Sequence, residues 1–198
     1  AEASGPMPPK PELAASPVII GVMAELTGAG ASYGRDMVRG AEMAVREINA
    51  AGGVQGRPLK LQVEDGGTHP ARSAIAMRRL VTSESALVVG GWGSAQVLAN
   101  LEVAEQAGMP YIVVGATHPD ITSARHRWTL RVLQNTSTHA DTIAGVVVGP
   151  LRSRRIAVIS EASAYGTGSR DTFVDGLRRR AMTPVRLETY DSGDREFG

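Results

Sequence analysis

"PVIIGVMAELTGAGASYG" (residues 17–34) sets an apolar run, Val18–Met23, against a glycine turn and the head of a helical pattern. An uninterrupted apolar run of this length suits a strand buried on both faces. Downstream, Met37, Ala41, Ala44, Val45 and Ile48 recur on one face of a helix over about 34–50. That helix stops at "NAAGG", where Gly52 and Gly53 act as C-terminal signals. The same alternation continues outward. Strands are expected at Leu59–Glu64, Ala86–Gly90, Tyr111–Val114, Ile156–Ser160 and Val185–Tyr190, and helices over about 70–82, 95–107, 138–149 and 166–180. Strands alternating with helices over short links form right-handed βαβ units and a parallel sheet.

Four such units run to about residue 115. An irregular stretch, "THPDITSARHRWTLRVLQNTS" (117–137), follows before the pattern restarts. The expected architecture is α/β, with an N-terminal lobe over residues 17–133 and the beginning of a second lobe over 134–198. Residues 1–16, rich in Pro, Ala and Ser and without periodicity, are expected to be a flexible leader. The "AEA" start would suit a mature end left by a signal peptidase.

Composition narrows the function classes. Hydrophobic residues make up 42% and charged residues 21%, as in ordinary globular proteins. A net charge of +1 gives no reason to expect a nucleic-acid partner. The absence of cysteine excludes disulfides, thiolate metal sites and a cysteine nucleophile. His69, His118, His126 and His139 lack metal-ligand spacing, so neither a metal nor a cofactor is expected. No nucleophile elbow and no Ser/His/Asp set is present, so no catalysis is expected. "RRR" (178–180) reads as the solvated end of an amphipathic helix. No apolar run approaches the ~18 residues of a membrane span.

The glycine turn admits three readings. As a dinucleotide loop it fails: the pattern is Gly28-x-Gly30-x-x-x-Gly34, Tyr33 occupies the position that needs a small residue, and no carboxylate lies about 20 residues on. It can be a plain turn whose glycines allow positive φ. It can also line a small-ligand site at the C-terminal edge of a parallel sheet, with Tyr33 as a wall.

Two further strand ends bear on the third reading. After Ala86–Gly90 comes "GWGSAQ" (91–96), with Ser94 at the start of a helix, where it can cap the helix or bind an anion beside the free N–H groups. After Tyr111–Val114 comes "GATHPDIT" (115–122). Gly115 and Ala116 leave the backbone open there, and Thr117 brings a hydroxyl; an ordinary turn stiffened by Pro119 is the alternative. In the second region "EASAYGTGSRD" (161–171) repeats the first turn's arrangement, with Tyr165 before Gly166 as Tyr33 stands before Gly34.

These stretches resemble the leucine/isoleucine/valine-binding family of periplasmic solute receptors. The resemblance rests on "SYGRDMVRGAEMAVREINAAGGVQGRPLKLQVED" (32–65), "VGGWGSAQVLA" (89–99), "GMPYIVVGATHPDIT" (108–122) and "AYGTGSRDTFVDGL" (164–177), and covers most of residues 18–190. It implies the type I periplasmic-binding-protein fold, two doubly wound lobes with a ligand cleft between them. It implies a solute carboxylate held by Ser94 and Thr117, backbone groups of Gly115 and Ala116 on the ligand, and aromatic walls from Tyr33 and Tyr165, with Trp92 beside them. The implied partners are a small-molecule solute, an amino acid or another carboxylate, and the membrane permease of an ABC importer, in the periplasm.

Family chains are much longer than 198 residues, and the acidic partner of a ligand ammonium lies in the part without a counterpart here. An amino acid and a plain carboxylate therefore stay unseparated. The second lobe shows only two strands, so the natural chain is expected to continue or a second polypeptide to supply the rest. A ligand-sensing regulatory protein on the same fold, such as an amide sensor, and a nucleotide-dependent enzyme are the alternatives.

Overall fold

The structure, a computed structural model, describes residues 16–196, so the expected leader lies outside the described residues apart from Ser16. Strands β1 (Val18–Ala24), β2 (Leu59–Asp65), β3 (Leu87–Gly90), β4 (Tyr111–Val113) and β5 (Thr129–Arg131) form one sheet in the order β2-β1-β3-β4-β5. Every pairing in it is parallel. Helices α1 (Ala31–Ala50), α2 (Pro70–Thr82) and α3 (Ser94–Ala107) connect the first four strands. The chain moves outward from β1 to β2, then returns past β1 to β3. That reversal opens a crevice at the carboxyl ends of β1 and β3, where α/β sheets hold their ligands.

The core of this lobe lies between the sheet and the paired helices α2 and α3. Met23, Met77, Leu80, Val88, Val97, Leu101, Tyr111 and Val113 are all buried there. Gly21 in the middle of β1 is closely surrounded: a Cβ there would stand 3.1–3.3 Å from the side chains of Val88, Ser85 and Leu80.

A second, two-stranded parallel sheet is built from β6 (Ala157–Glu161) and β7 (Arg186–Tyr190), with α4 (Thr136–Val148) and α5 (Ala164–Arg178). Its buried core is small: Ala144, Ile156 and Leu177, with Val147, Val158, Phe173 and Met182 around them. Helix α5 stops at Arg178, and the two arginines that follow do not simply face solvent as expected. Arg179 and Arg180 both reach Asp141 of α4, at 2.8 and 2.7 Å, and hold its carboxyl well below the usual range.

The expected elements recur with shifted ends: α1 opens at Ala31 instead of about 34, and α3 at Ser94. Two features differ in kind. The fourth unit has no α-helix after its strand, only a 3-10 turn at Pro119–Thr122. The stretch read as irregular also contains strand β5. It is three residues long, with Thr129 buried and Leu130 exposed, so it carries no apolar run to signal it. Position holds it instead: Tyr111 N–H donates to the Trp128 carbonyl, and the Glu105 carboxylate receives the N–H groups of Arg127 and Trp128 at 2.9 and 2.8 Å.

Candidate functional site

The loop after β1 is fixed from below by carboxylates and a threonine. Asp65, at the end of β2, accepts the Leu26 N–H, the Thr27 hydroxyl, the Gly67 N–H and Arg72. Partial burial works to raise its pKa, but the donors from Gly67, Thr27 and Leu26 and the charge of Arg72 outweigh it and the pKa is lowered. Thr68 Oγ1 donates to the Thr27 carbonyl and accepts the Gly30 N–H. Gly28 has φ +84, and a Cβ on it would collide with Thr68 Oγ1 at 2.1 Å, so the glycine serves a tight turn. With Leu26 and Gly30 N–H already engaged by Asp65 and Thr68, the loop does not present the open row of donors that a pyrophosphate needs.

Glu25, the last residue before this loop, is 1% exposed. Its carboxylate receives the N–H groups of Trp92 and Gly93, at 3.2 Å each to Oε1. Burial raises its pKa, outweighing those two hydrogen bonds, and the charge of Asp65 adds to the rise. Glu25 thereby fixes the turn from β3 into α3. Sequence reading passed over this residue; the available signal was a carboxylate directly at the C-terminal end of an apolar strand.

The ring of Trp92 lies against Gly30, where a Cβ would come within 3.1 Å of it, and stacks on Tyr33 with centroids 4.3 Å apart and planes within 9°. Tyr33 and Trp92 are thus brought together as one aromatic wall beside the crevice. Tyr33 keeps 51% of its surface exposed.

Ser94 is the first residue of α3, not its cap; Gly93 holds the cap position, and no side-chain cap bond is made. A Cβ on Gly93 would meet the end of the Gln96 side chain, Oε1 at 2.0 Å, so a side chain there requires Gln96 to move. Ser94 is 4% exposed, and its hydroxyl has no partner among the described residues. The N–H groups of Ser94, Ala95 and Gln96, at the positive end of α3, also lack protein acceptors among the described residues.

Strand β4 pairs with β3 and delivers the next loop to the neighbouring position. Gly115 and Ala116 N–H both donate to the Gly91 carbonyl, at 3.0 and 3.2 Å. Both N–H groups are thus engaged within the protein, and Ala116 is 1% exposed. Gly115 must be glycine, because a Cβ would sit 2.8 Å from Trp92 Cα. Thr117 follows, half-buried. Its hydroxyl lies 2.9 Å from that of Thr136 at the head of α4, and its carbonyl accepts the Thr136 N–H at 2.9 Å. His118 packs against Gly168 of α5, where a Cβ would approach its ring to 2.5 Å. That contact sets the Thr117 loop on the first turns of α5, one turn from Tyr165. Tyr165 is 57% exposed and makes no ring contact among the described residues. No cluster of His, Asp and Glu suited to a metal occurs among the described residues.

The periplasmic binding protein family matches residues 17–198. An amino acid binding protein of Pseudomonas aeruginosa is 32% identical over 181 residues, which is 91% of this chain and 48% of that protein. A Leu/Ile/Val-binding protein homolog of Brucella melitensis is 29% identical over 91% of this chain and 49% of its own length. Among solved structures, the branched-chain amino acid transporter substrate binding protein of Streptococcus pneumoniae, in complex with isoleucine, superposes with a TM-score of 0.81. It is 29% identical, over 91% of this chain and 51% of that one.

The chain belongs to the periplasmic binding protein family, and the relatives it resembles include Leu/Ile/Val-binding proteins. Its fold is the type I architecture, and it spans about half the length of the relatives it matches. Those relatives are solute-binding proteins, not enzymes, and the family is extracytoplasmic. No described helix is long and apolar enough to cross a membrane.

Proposed function

We propose that this chain supplies the solute-gripping lobe, and part of the closing lobe, of an extracytoplasmic receptor for an ABC importer, with a branched-chain amino acid as its leading ligand. The observation that carries this reading is the pairing of opposite polarities at adjacent strand ends. Ser94 and the unpaired N–H groups of α3 offer donors, and the Gly115 and Ala116 carbonyls at the neighbouring strand end are the acceptors proposed for an ammonium. A zwitterion has a carboxylate for the first and an ammonium for the second. Ser94 and Thr117 hydroxyls hold the carboxylate; Gly115 and Ala116 present their carbonyls to the ammonium; the Tyr33–Trp92 stack and Tyr165 wall the side chain. Closure of the second lobe over the bound solute creates the form that the periplasm-facing side of the permease recognises.

Calorimetric titration tests the assignment. Ser94→Ala and Thr117→Ala are each expected to weaken binding by about 1–3 kcal/mol, the range for losing a hydrogen bond to a charged group, with folding nearly intact. Unchanged affinity in both removes the grip. A thermal-shift panel of amino acids, aromatic acids, amides, sugars and nucleotides tests the ligand class, and a response confined to sugars or nucleotides overturns it.

A further inference from the structure

We infer that Thr136 is a positioning residue for Thr117: its hydroxyl turns the Thr117 proton toward the solute and ties the grip to the seat of α4. The inference rests on the reading above, in which Thr117 holds the solute carboxylate.

Thr136 is 7% exposed and opens α4, whose first turn is capped by Asn135 Oδ1 accepting the Thr138 N–H. Its backbone N–H already donates to the Thr117 carbonyl at 2.9 Å. Its hydroxyl lies 3.0 Å from the same carbonyl and 2.9 Å from Thr117 Oγ1. A threonine hydroxyl has one proton to give and lone pairs to accept with, so the pair has two proton arrangements. In one, Thr136 donates to Thr117 Oγ1, and the Thr117 proton is free to point outward at an acceptor. In the other, Thr136 donates to the Thr117 carbonyl, Thr117 donates back to Thr136, and only lone pairs face outward. A carboxylate accepts and never donates, so it selects the first arrangement. Thr136 supplies the hydrogen bond that fixes Thr117 as a donor in that arrangement.

The contact also crosses between the two sheets. Thr117 lies in the loop that follows β4 of the five-stranded sheet, and Thr136 starts the helix that packs beside the two-stranded one. Helix α4 is fastened to α5 by the Asp141 bridges and by Gly176, where a Cβ would come within 2.9 Å of Ala144 Cβ. Displacing the α4–α5 pair therefore moves the group that orients the Thr117 proton.

The test uses the full chain, with L-leucine and benzoate as carboxylate probes and L-leucinamide as a ligand without a carboxylate. Thr136→Val keeps the shape and the backbone N–H and removes only the hydroxyl. It is expected to weaken the carboxylate that binds by about tenfold, the size of one hydrogen bond to a charged group. Affinity for L-leucinamide is expected to change by less than about threefold, a loss smaller than that of one neutral hydrogen bond. Thr136→Ser is expected to restore carboxylate binding. In a double-mutant cycle, Thr117→Val combined with Thr136→Val is expected to bind no worse than Thr117→Val alone, because the two act as one unit. Should Thr136→Val not fold, Thr136→Ala is judged by the same outcomes. Full carboxylate affinity in the position-136 variant, an equal loss for L-leucinamide, or multiplying losses in the cycle overturns the inference. If Ser94→Ala and Thr117→Val lose affinity while Thr136→Val does not, this inference fails and the functional reading stands. Wild-type protein that binds neither carboxylate overturns both.

Discussion

The two sheets each begin with the same corner, a glutamate at the strand's C-terminal end (Glu161 its last residue, Glu25 the residue just after it) and a Tyr-Gly pair in the first turn of the helix. In the first, Glu25 faces Gly34; in the second, Glu161 faces Gly166. A Cβ on either glycine would stand 2.2 Å from the glutamate's carbonyl oxygen, so helix and strand touch backbone to backbone in both. The carboxylates then diverge. Glu25 is buried and receives two backbone N–H groups from the turn after the neighbouring strand β3, whereas Glu161 accepts the Ser163 hydroxyl at 2.7 Å within its own loop. The tyrosines diverge with them, Tyr33 stacked on Trp92 and Tyr165 exposed. The same backbone corner thus becomes part of a built site only where an adjacent strand end brings a second loop to it.

The largest expected effect breaks the shared part of the comparison. Gly34→Ala and Gly166→Ala each force backbone apart, and overpacking of this kind costs about 1–3 kcal/mol and sometimes more. Gly34→Ala is expected at or above the top of that range, because β1 is locked between β2 and β3. Gly166→Ala is expected near the bottom, because a two-stranded sheet yields more easily. Urea unfolding of both variants measures this, and equal losses would mean that the second corner is as rigid as the first.

The next effect separates the carboxylates. Glu25→Gln can keep one oxygen for both backbone donors but sets an amide N–H₂ in place of Oε2, 3.3 Å from the Trp92 nitrogen, and is expected to cost about 1–3 kcal/mol. Glu161→Gln is expected to stay within about 0.5 kcal/mol, as for a surface change. Their pH dependences run in opposite directions. Burial raises the pKa of Glu25 above the ordinary 4.5, so the folded protein holds that proton more tightly than the unfolded chain. Its linkage favours the fold below pH 4.5 and is lost as pH rises through the raised value. The Ser163 hydroxyl lowers the pKa of Glu161, with Ser192 assisting, so its contribution is present above 4.5 and lost as pH falls through the lowered value. The loss caused by Glu25→Gln should therefore grow as pH falls from neutrality to 4.5, while that of Glu161→Gln shrinks only below it. Chemical denaturation at a series of pH values reads both.

The smallest effect concerns the rings. Tyr33→Ala removes a stacked pair and is expected to cost about 0.5–1.5 kcal/mol, while Tyr165→Ala is expected to leave stability within about 0.5 kcal/mol. Thermal unfolding distinguishes them, and a comparable loss at Tyr165 would reveal a partner for its ring.

Much of this was legible in the residues because the signals are local. The apolar runs at Val18–Met23 and Tyr111–Val114 announce strands wherever they occur, and the alternation with amphipathic helices sets the parallel order. The glycine turn could be separated from a nucleotide loop by its glycine spacing, the bulk of Tyr33 and the missing carboxylate about 20 residues on. What stayed hidden depends on distant neighbours. Strand β5 exists because Glu105 and β4 hold three ordinary residues in register. Glu25 takes part because Trp92 and Gly93, 67 and 68 residues further on, point their N–H groups at it. Ser94 sits inside the helix, with Gly93 in the cap position and no side-chain cap bond. None of these leaves a periodic trace in the sequence.

The Tyr33–Trp92 stack also gives the protein an optical gauge. The chain has two tryptophans, and the other, Trp128, lies half-exposed beside Gly108 at the start of the edge strand. Trp92 emits from within a face-to-face contact with a phenol at the mouth of the crevice, so its quantum yield follows the spacing of the two rings. In the receptor proposed above, a solute bound beside the stack is expected to alter the emission without any attached dye. With Trp128→Phe removing the background, the colour and lifetime of a single indole report occupancy of the crevice in real time.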